Sequence, residues 1–128
     1  RQRQMCIRDS YKTTVDKIGE LVPAFREQGM LVFFGANAPE ELHDFCILHT
    51  VEFKDDALKA GDVITIDETS FEVLAVGDVA NENLMNLGHL NLKANGLTTA
   101  ELPGDVNIAV TELPEVNVGT RIVINRSA

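Results

Sequence analysis

Positive charge is scarce in this sequence. Eleven lysines and arginines stand against twenty aspartates and glutamates, for a net charge of −9. That balance argues against nucleic acid as a partner, because binding a phosphate backbone needs a basic footprint. An acidic surface suits either a basic-rimmed protein partner or plain solubility. Cysteine is scarce too. Cys6 and Cys46 make no disulfide framework, and a reducing cytoplasm is the expected compartment. No apolar run approaches the ~20 residues of a membrane helix, and no secretory signal is visible. The chain also lacks a G-x-S-x-G elbow, a Walker loop and a dinucleotide fingerprint. Its many carboxylates are spread out and define no acid/base pair.

What remains suits one domain with a real core: 128 residues, 45% apolar and 24% charged. The first ten residues stand apart, with no periodicity and a charge opposite to the rest. Met5 to Asp9 reads like a translated transposon-end adapter, so residues 1–10 are set aside as non-native and 11–128 are taken as the domain. Without them, 8 basic and 19 acidic residues leave a net charge of −11, and Cys46 is the single cysteine.

The body is punctuated by Gly, Asp, Asn and Pro into short segments, most of them β-like. Tyr11–Ile18, the apolar run Met30–Phe34, Cys46–Phe53, Gly61–Asp67, Phe71–Val76, His89–Lys93, Val106–Val110 and Thr120–Ile124 read as strands. A turn is expected around Glu68-Thr69-Ser70. Residues 20–28 are ambiguous between a helical turn and a loop. Asn81–Leu87 fits about two helical turns stopped by Gly88. Asn37 with Glu40 three residues on makes an N-cap pattern, and Pro39 suits a first turn. A brief helix there would put Leu42, Phe45 and Cys46 on one face. The expected fold is mostly β: a small antiparallel barrel or sandwich with one or two short helices.

His49 is the sharpest chemical candidate. Whether a helix runs on or a strand begins, it follows Ile47 and Leu48 and sits at the rim of an apolar patch. Desolvation favours the neutral ring, and a neutral imidazole is a nucleophile near pH 7. A satisfied structural histidine is the competing reading. A rim imidazole would contribute little packing, so His49→Ala should spare the fold. His43, beside Asp44, reads as a solvated residue. His43, Cys46 and His49 also form an H-x-x-C-x-x-H spacing, a weak zinc signal because three ligands on one brief segment converge only if the backbone bends suitably. His89 follows a glycine helix stop. Its alternation places it with Asn91 and Lys93, away from Leu90 and Leu92.

Three blocks in order carry a resemblance: GANAPEELHDFCILH (35–49), AVGDVANENLMNLGHLNL (75–92) and AELPGDV (100–106). The chain resembles the glucitol/sorbitol-specific IIA component of the bacterial phosphoenolpyruvate-dependent sugar phosphotransferase system (PTS) over nearly all of residues 11–125. The resemblance implies a cytoplasmic phosphohistidine carrier with His49 as the phosphorylated residue. It implies the phosphocarrier protein HPr as donor and a cysteine of the IIB part of the IIB/IIC membrane permease as acceptor. Other IIA classes suggest phosphate on Nε2. No metal or cofactor is required if backbone N–H groups and a neighbouring histidine neutralise charge. His89 falls on the family's Leu-Gly-His and is expected beside His49 as a phosphoryl stabiliser. The HPr interface is expected around Phe45, Leu48 and His49, with Glu41 and Asp44 at its rim. Two rivals stay open: a metal- or small-ligand-binding barrel, and a regulatory relative that binds partners without taking phosphate.

Overall fold

A computed structural model describes residues 9–36, 38–55 and 58–126. Most of the segment set aside above lies outside these residues, whereas Asp9 and Ser10 belong to the first strand. Eight strands run β1 (Asp9–Ile18), β2 (Met30–Gly35), β3 (Ile47–Lys54), β4 (Val63–Ile66), β5 (Thr69–Val76), β6 (Leu90–Lys93), β7 (Asp105–Ile108) and β8 (Arg121–Asn125). They close into a barrel in the order β1-β3-β2-β6-β7-β5-β4-β8. Closure is made by β1 and β8, which pair from Asp9 with Asn125 to Thr14 with Arg121. Two helices, α1 (Val22–Glu27) and α2 (Ala80–Leu87), complete the fold. Among the described residues, no helix is long and apolar enough to cross a membrane.

The expected barrel is present, with two refinements. First, β2 runs parallel to β3, and β6 parallel to β7, while the other neighbouring strands are antiparallel. Parallel neighbours need a crossover, and residues 38–46 carry one over the outer side of the sheet. Second, that crossover is not the expected helix. Its described residues hold one 3₁₀ turn, Glu40–Leu42, with Pro39 at its start. The expected cap, Asn37, lies outside the described residues. The apolar face survives without the helix: Ala38, Leu42, Phe45 and Cys46 cover Val32, Phe34 and Leu48 on the outer side of the sheet. Alternation explains the split, since successive side chains of β3 point to opposite faces. Ile47 joins the main core and Leu48 the outer cluster.

The crossover is fastened to the end of β1. Gly19 N–H donates to Cys46 O at 3.1 Å, and Leu21 N–H to Asp44 O at 2.8 Å. Gly19 has to be glycine, because a Cβ there would overlap the carbonyls of His43 and Asp44. At β4–β5 the turn is tighter than expected. Ile66 pairs with Thr69, so Asp67 and Glu68 alone make the loop, with Asp67 in the left-handed region. Helix α2 ends where its sequence indicated. Gly88 takes φ +67°, and its N–H returns to Leu84 O at 3.1 Å. Tyr11 Oη and Lys54 Nζ donate to the carbonyls of Leu84 and Met85, holding the C-terminal end of α2 against β1 and β3. Leu84 and Ala80 are buried beneath.

Candidate functional site

His49 lies inside the barrel, on the same face of β3 as Ile47. It is 1% exposed, so it is a core imidazole and not the rim residue expected from sequence. The difference comes from the barrel closing over it. β1 runs along one side of β3 and the Gly88 turn crosses the end. The ring meets Phe33 edge to face, with centroids 6.0 Å apart. Nε2 lies 2.6 Å from the Gly88 carbonyl oxygen, and Nδ1 lies 2.5 Å from Thr13 Oγ1 on β1. Gly88 approaches closely enough that a Cβ would sit 3.1 Å from Cε1 of the ring. The Thr13 hydroxyl is also 2.8 Å from Thr50 O, and Thr50 Oγ1 donates in turn to Asp16. Thr13 thus ties His49 to the main chain of Thr50, whose side chain separately ties β3 to Asp16 on β1.

Burial is the largest influence on the ring and lowers its pKa from the ordinary histidine value; the Gly88 carbonyl and the charge of Asp16 act the other way. The imidazole is held neutral. The unfolded chain takes up a proton at this ring as the pH falls below about 6.5, whereas the folded ring resists until a lower pH. The contribution to stability is therefore full above about pH 6.5 and is lost as the pH falls through the folded value. Urea unfolding between neutral and mildly acidic pH is expected to show the wild type losing more stability than His49→Gln, by up to about 1.4 kcal/mol per pH unit. Equal losses would mean that the ring is not held neutral.

The other histidines serve the backbone. His43 Nε2 donates to Ala38 O at 3.0 Å and ties the crossover to itself. His89 adjoins Gly88, yet its ring turns outward. It packs on Phe34 with centroids 4.7 Å apart, and its Nδ1 donates to Phe33 O at 3.2 Å. Phe33 faces the core and Phe34 the outer cluster. The structure therefore joins His49 and His89 through the Gly88 peptide, with their rings on opposite faces of β2. Cys46 is buried in the outer cluster, and burial pushes its thiol pKa up. His43, Cys46 and His49 therefore point to three different places. Among the described residues, no group of three His, Cys, Asp or Glu side chains gathers to hold a metal. Of the expected partner patch, Glu41 and Asp44 are exposed and Phe45 is half-buried against Phe25, but Leu48 is 5% exposed and lies beneath the crossover. Thr13 went unnoticed in the sequence because its contact with His49 needs the pairing of β1 with β3.

The family described as "PTS system glucitol/sorbitol-specific IIA component" matches residues 10–123. The chain belongs to that family. The glucitol/sorbitol-specific EIIA component of Escherichia coli (strain K12) is 38% identical over 100 residues, covering 77% of this chain and 80% of the relative. The Shigella flexneri component is 36% identical over 99 residues, with the same shares. The crystal structure of a PTS system IIA component from Enterococcus faecalis V583 superposes with a TM-score of 0.77 at 25% identity, covering 87% of this chain and 96% of that one. The barrel is thus that of a PTS IIA component, and this glucitol/sorbitol IIA domain is part of a sugar phosphotransferase system.

Proposed function

We propose that this IIA domain carries a phosphoryl group on His49 in the cytoplasm. It takes the group from HPr and passes it to a cysteine of the IIB part of a glucitol/sorbitol permease. The observation that carries the reading is the setting of His49: a desolvated, neutral imidazole between Thr13 and the Gly88 carbonyl of the Leu-Gly-His block. His43 and His89 already donate to main-chain carbonyls and lack that setting. Phosphoryl transfer asks mainly for in-line positioning and charge stabilisation. Nε2 is taken as the reacting nitrogen: its one contact is the Gly88 carbonyl of a turn, whereas Nδ1 is held by Thr13 on a barrel strand. His89 fastens that turn through Phe33 and Phe34.

The test is incubation with phosphoenolpyruvate, the general PTS kinase and HPr, followed by intact-mass measurement. The expected result is one phosphoryl group, labile in acid and stable in alkali. No gain in mass under conditions that phosphorylate HPr would overturn the reading.

HPr would dock where the Gly88 turn covers Nε2, with the crossover that starts beside it at Gly35 supplying Phe45 and a rim of Glu41 and Asp44, and Leu48 as the layer beneath. Relay contacts of this kind bury less than ~1,200 Å² in total. Rim charges act mainly on the encounter rate. Phosphoryl uptake from phosphorylated HPr is therefore expected to slow on the order of tenfold between low and high ionic strength. A rate independent of salt would remove electrostatic steering from this interface.

A further inference from the structure

We propose that Thr13 is the positioning residue of the transfer: its hydroxyl holds the His49 ring through Nδ1 in both proton arrangements that the site must pass between. The proposal rests on the phosphohistidine reading above. It starts from an arithmetic of protons. The Gly88 carbonyl can only accept, so at 2.6 Å the Nε2 of His49 must carry hydrogen. In the neutral ring Nδ1 is then bare and accepts from the Thr13 hydroxyl at 2.5 Å, whose single hydrogen is then turned away from Thr50 O, 2.8 Å off. In this closed arrangement Nε2 has no lone pair to offer, and it is covered by a carbonyl. The ring is masked twice over.

The second arrangement is written into the same contacts. If Nδ1 carries the hydrogen, it donates to Thr13 Oγ1, and the hydroxyl donates onward to Thr50 O at 2.8 Å. Nε2 is now a bare lone pair. A carbonyl 2.6 Å from a lone pair is repulsive, so this arrangement requires the Gly88 carbonyl to have moved away. A hydroxyl can turn from one partner to the other and satisfies Nδ1 in both cases. No apolar side chain can do so. The site is 2% exposed at Thr13, so no water stands ready to replace the hydroxyl in the closed form.

Opening of the Gly88 turn admits water, which takes the proton from Nε2 and returns one to Nδ1, leaving the ring neutral. In the transfer itself, the Nε2 lone pair forms the new N–P bond. The N–P bond of the phosphorylated donor protein breaks, and its electron pair stays on the donor nitrogen. The Nδ1 proton does not move. It remains hydrogen-bonded to Thr13 Oγ1 while positive charge spreads over the ring, a charge-assisted bond.

The test compares wild type, Thr13→Ser and Thr13→Val, each first shown to be folded by circular dichroism. Two readouts are taken: the initial rate of phosphoryl uptake from phosphorylated HPr, and the ¹⁵N resonances of the His49 ring before and after phosphorylation. Thr13→Val keeps the shape and removes the hydroxyl. It is expected to slow uptake about ten- to hundredfold while still reaching full phosphorylation. Its Nδ1 resonance should move away from the hydrogen-bonded position. Thr13→Ser should restore both readouts to near the wild type. A Thr13→Val protein with the wild-type rate would overturn the proposal, as would equal slowing by Ser, which keeps the hydroxyl, and Val, which would assign the effect to altered packing. A wild type that never takes phosphate overturns the phosphohistidine reading and this proposal with it. A wild type that does, with an indifferent Thr13→Val, overturns the proposal alone.

Discussion

His49→Gln is expected to abolish phosphoryl uptake from HPr while the barrel stays folded. Glutamine is the informative replacement because the ring is in the core. Its amide can donate to the Gly88 carbonyl and accept from the Thr13 hydroxyl, the two contacts that His49 makes, but it offers no nucleophilic nitrogen. Alanine would remove the chemistry and also the packing. A cavity beside Phe33 and a Gly88 carbonyl without its partner would cost about 2–5 kcal/mol, a large share of the ~5–15 kcal/mol that holds a domain of this size together. An inactive His49→Ala protein would therefore be ambiguous. The measurement is intact mass after incubation with the phosphorylating system, with urea unfolding as the control for fold. His43→Gln and His89→Gln should still take up one phosphoryl group. Normal uptake by His49→Gln would end the assignment.

Gly88→Ala should be among the most damaging single-methyl changes at the site. The residue sits at φ +67°, where an L side chain costs ~1–2 kcal/mol. The added Cβ would lie 3.0 Å from Gly35 N and 3.1 Å from both Gly35 Cα and His49 Cε1. Gly35 is main chain in β2 and cannot step aside, so overpacking adds about 1–3 kcal/mol. A total loss of ~2–5 kcal/mol is expected in urea unfolding, with slower phosphoryl uptake because the ring is displaced. Gly119→Ala separates the two causes. It also has positive φ, at +93°, but a Cβ there meets nothing within 4 Å. That variant should lose only ~1–2 kcal/mol and leave uptake unchanged. Equal losses at the two positions would show that the approach to Gly35 and His49 carries no strain.

The strands were legible because alternation and punctuation are local. Tyr11–Ile18 alternates, Met30–Phe34 is a bounded apolar run, and Gly88 stops a helix for a reason contained in one residue. The crossover was misread because Asn37, Pro39 and Glu40 form a good helix start on their own terms, while the parallel register of Phe33 with Ile47 leaves room for one 3₁₀ turn. Nothing local announces a parallel pairing. The low-polarity setting of His49 was legible, and its depth was not. Its apolar neighbours pointed to a low-polarity setting, but whether such a residue is at a rim or in a core depends on what the rest of the chain lays over it. Thr13 and the Gly88 carbonyl do that, and both come from far away in sequence. His89 shows the opposite failure. The Leu-Gly-His block marked it, yet the alternation that puts it with Asn91 and Lys93 also turns its ring outward to Phe34.

The pairing of β1 with β8 has a kinetic side. The contacts around His49 are made by β1, β2, β3 and the Gly88 turn, all available once the first ninety or so residues exist. Closure instead waits for Arg121–Asn125 to reach back to Asp9–Thr14. Contacts of such long sequence separation make folding slow. Until β8 arrives, the outer edges of β1 and β4 carry unpaired backbone groups, the kind of edge that recruits strands from other chains. During synthesis the segments around His49 are therefore complete before the open edges are covered, and β8 is the strand that covers them.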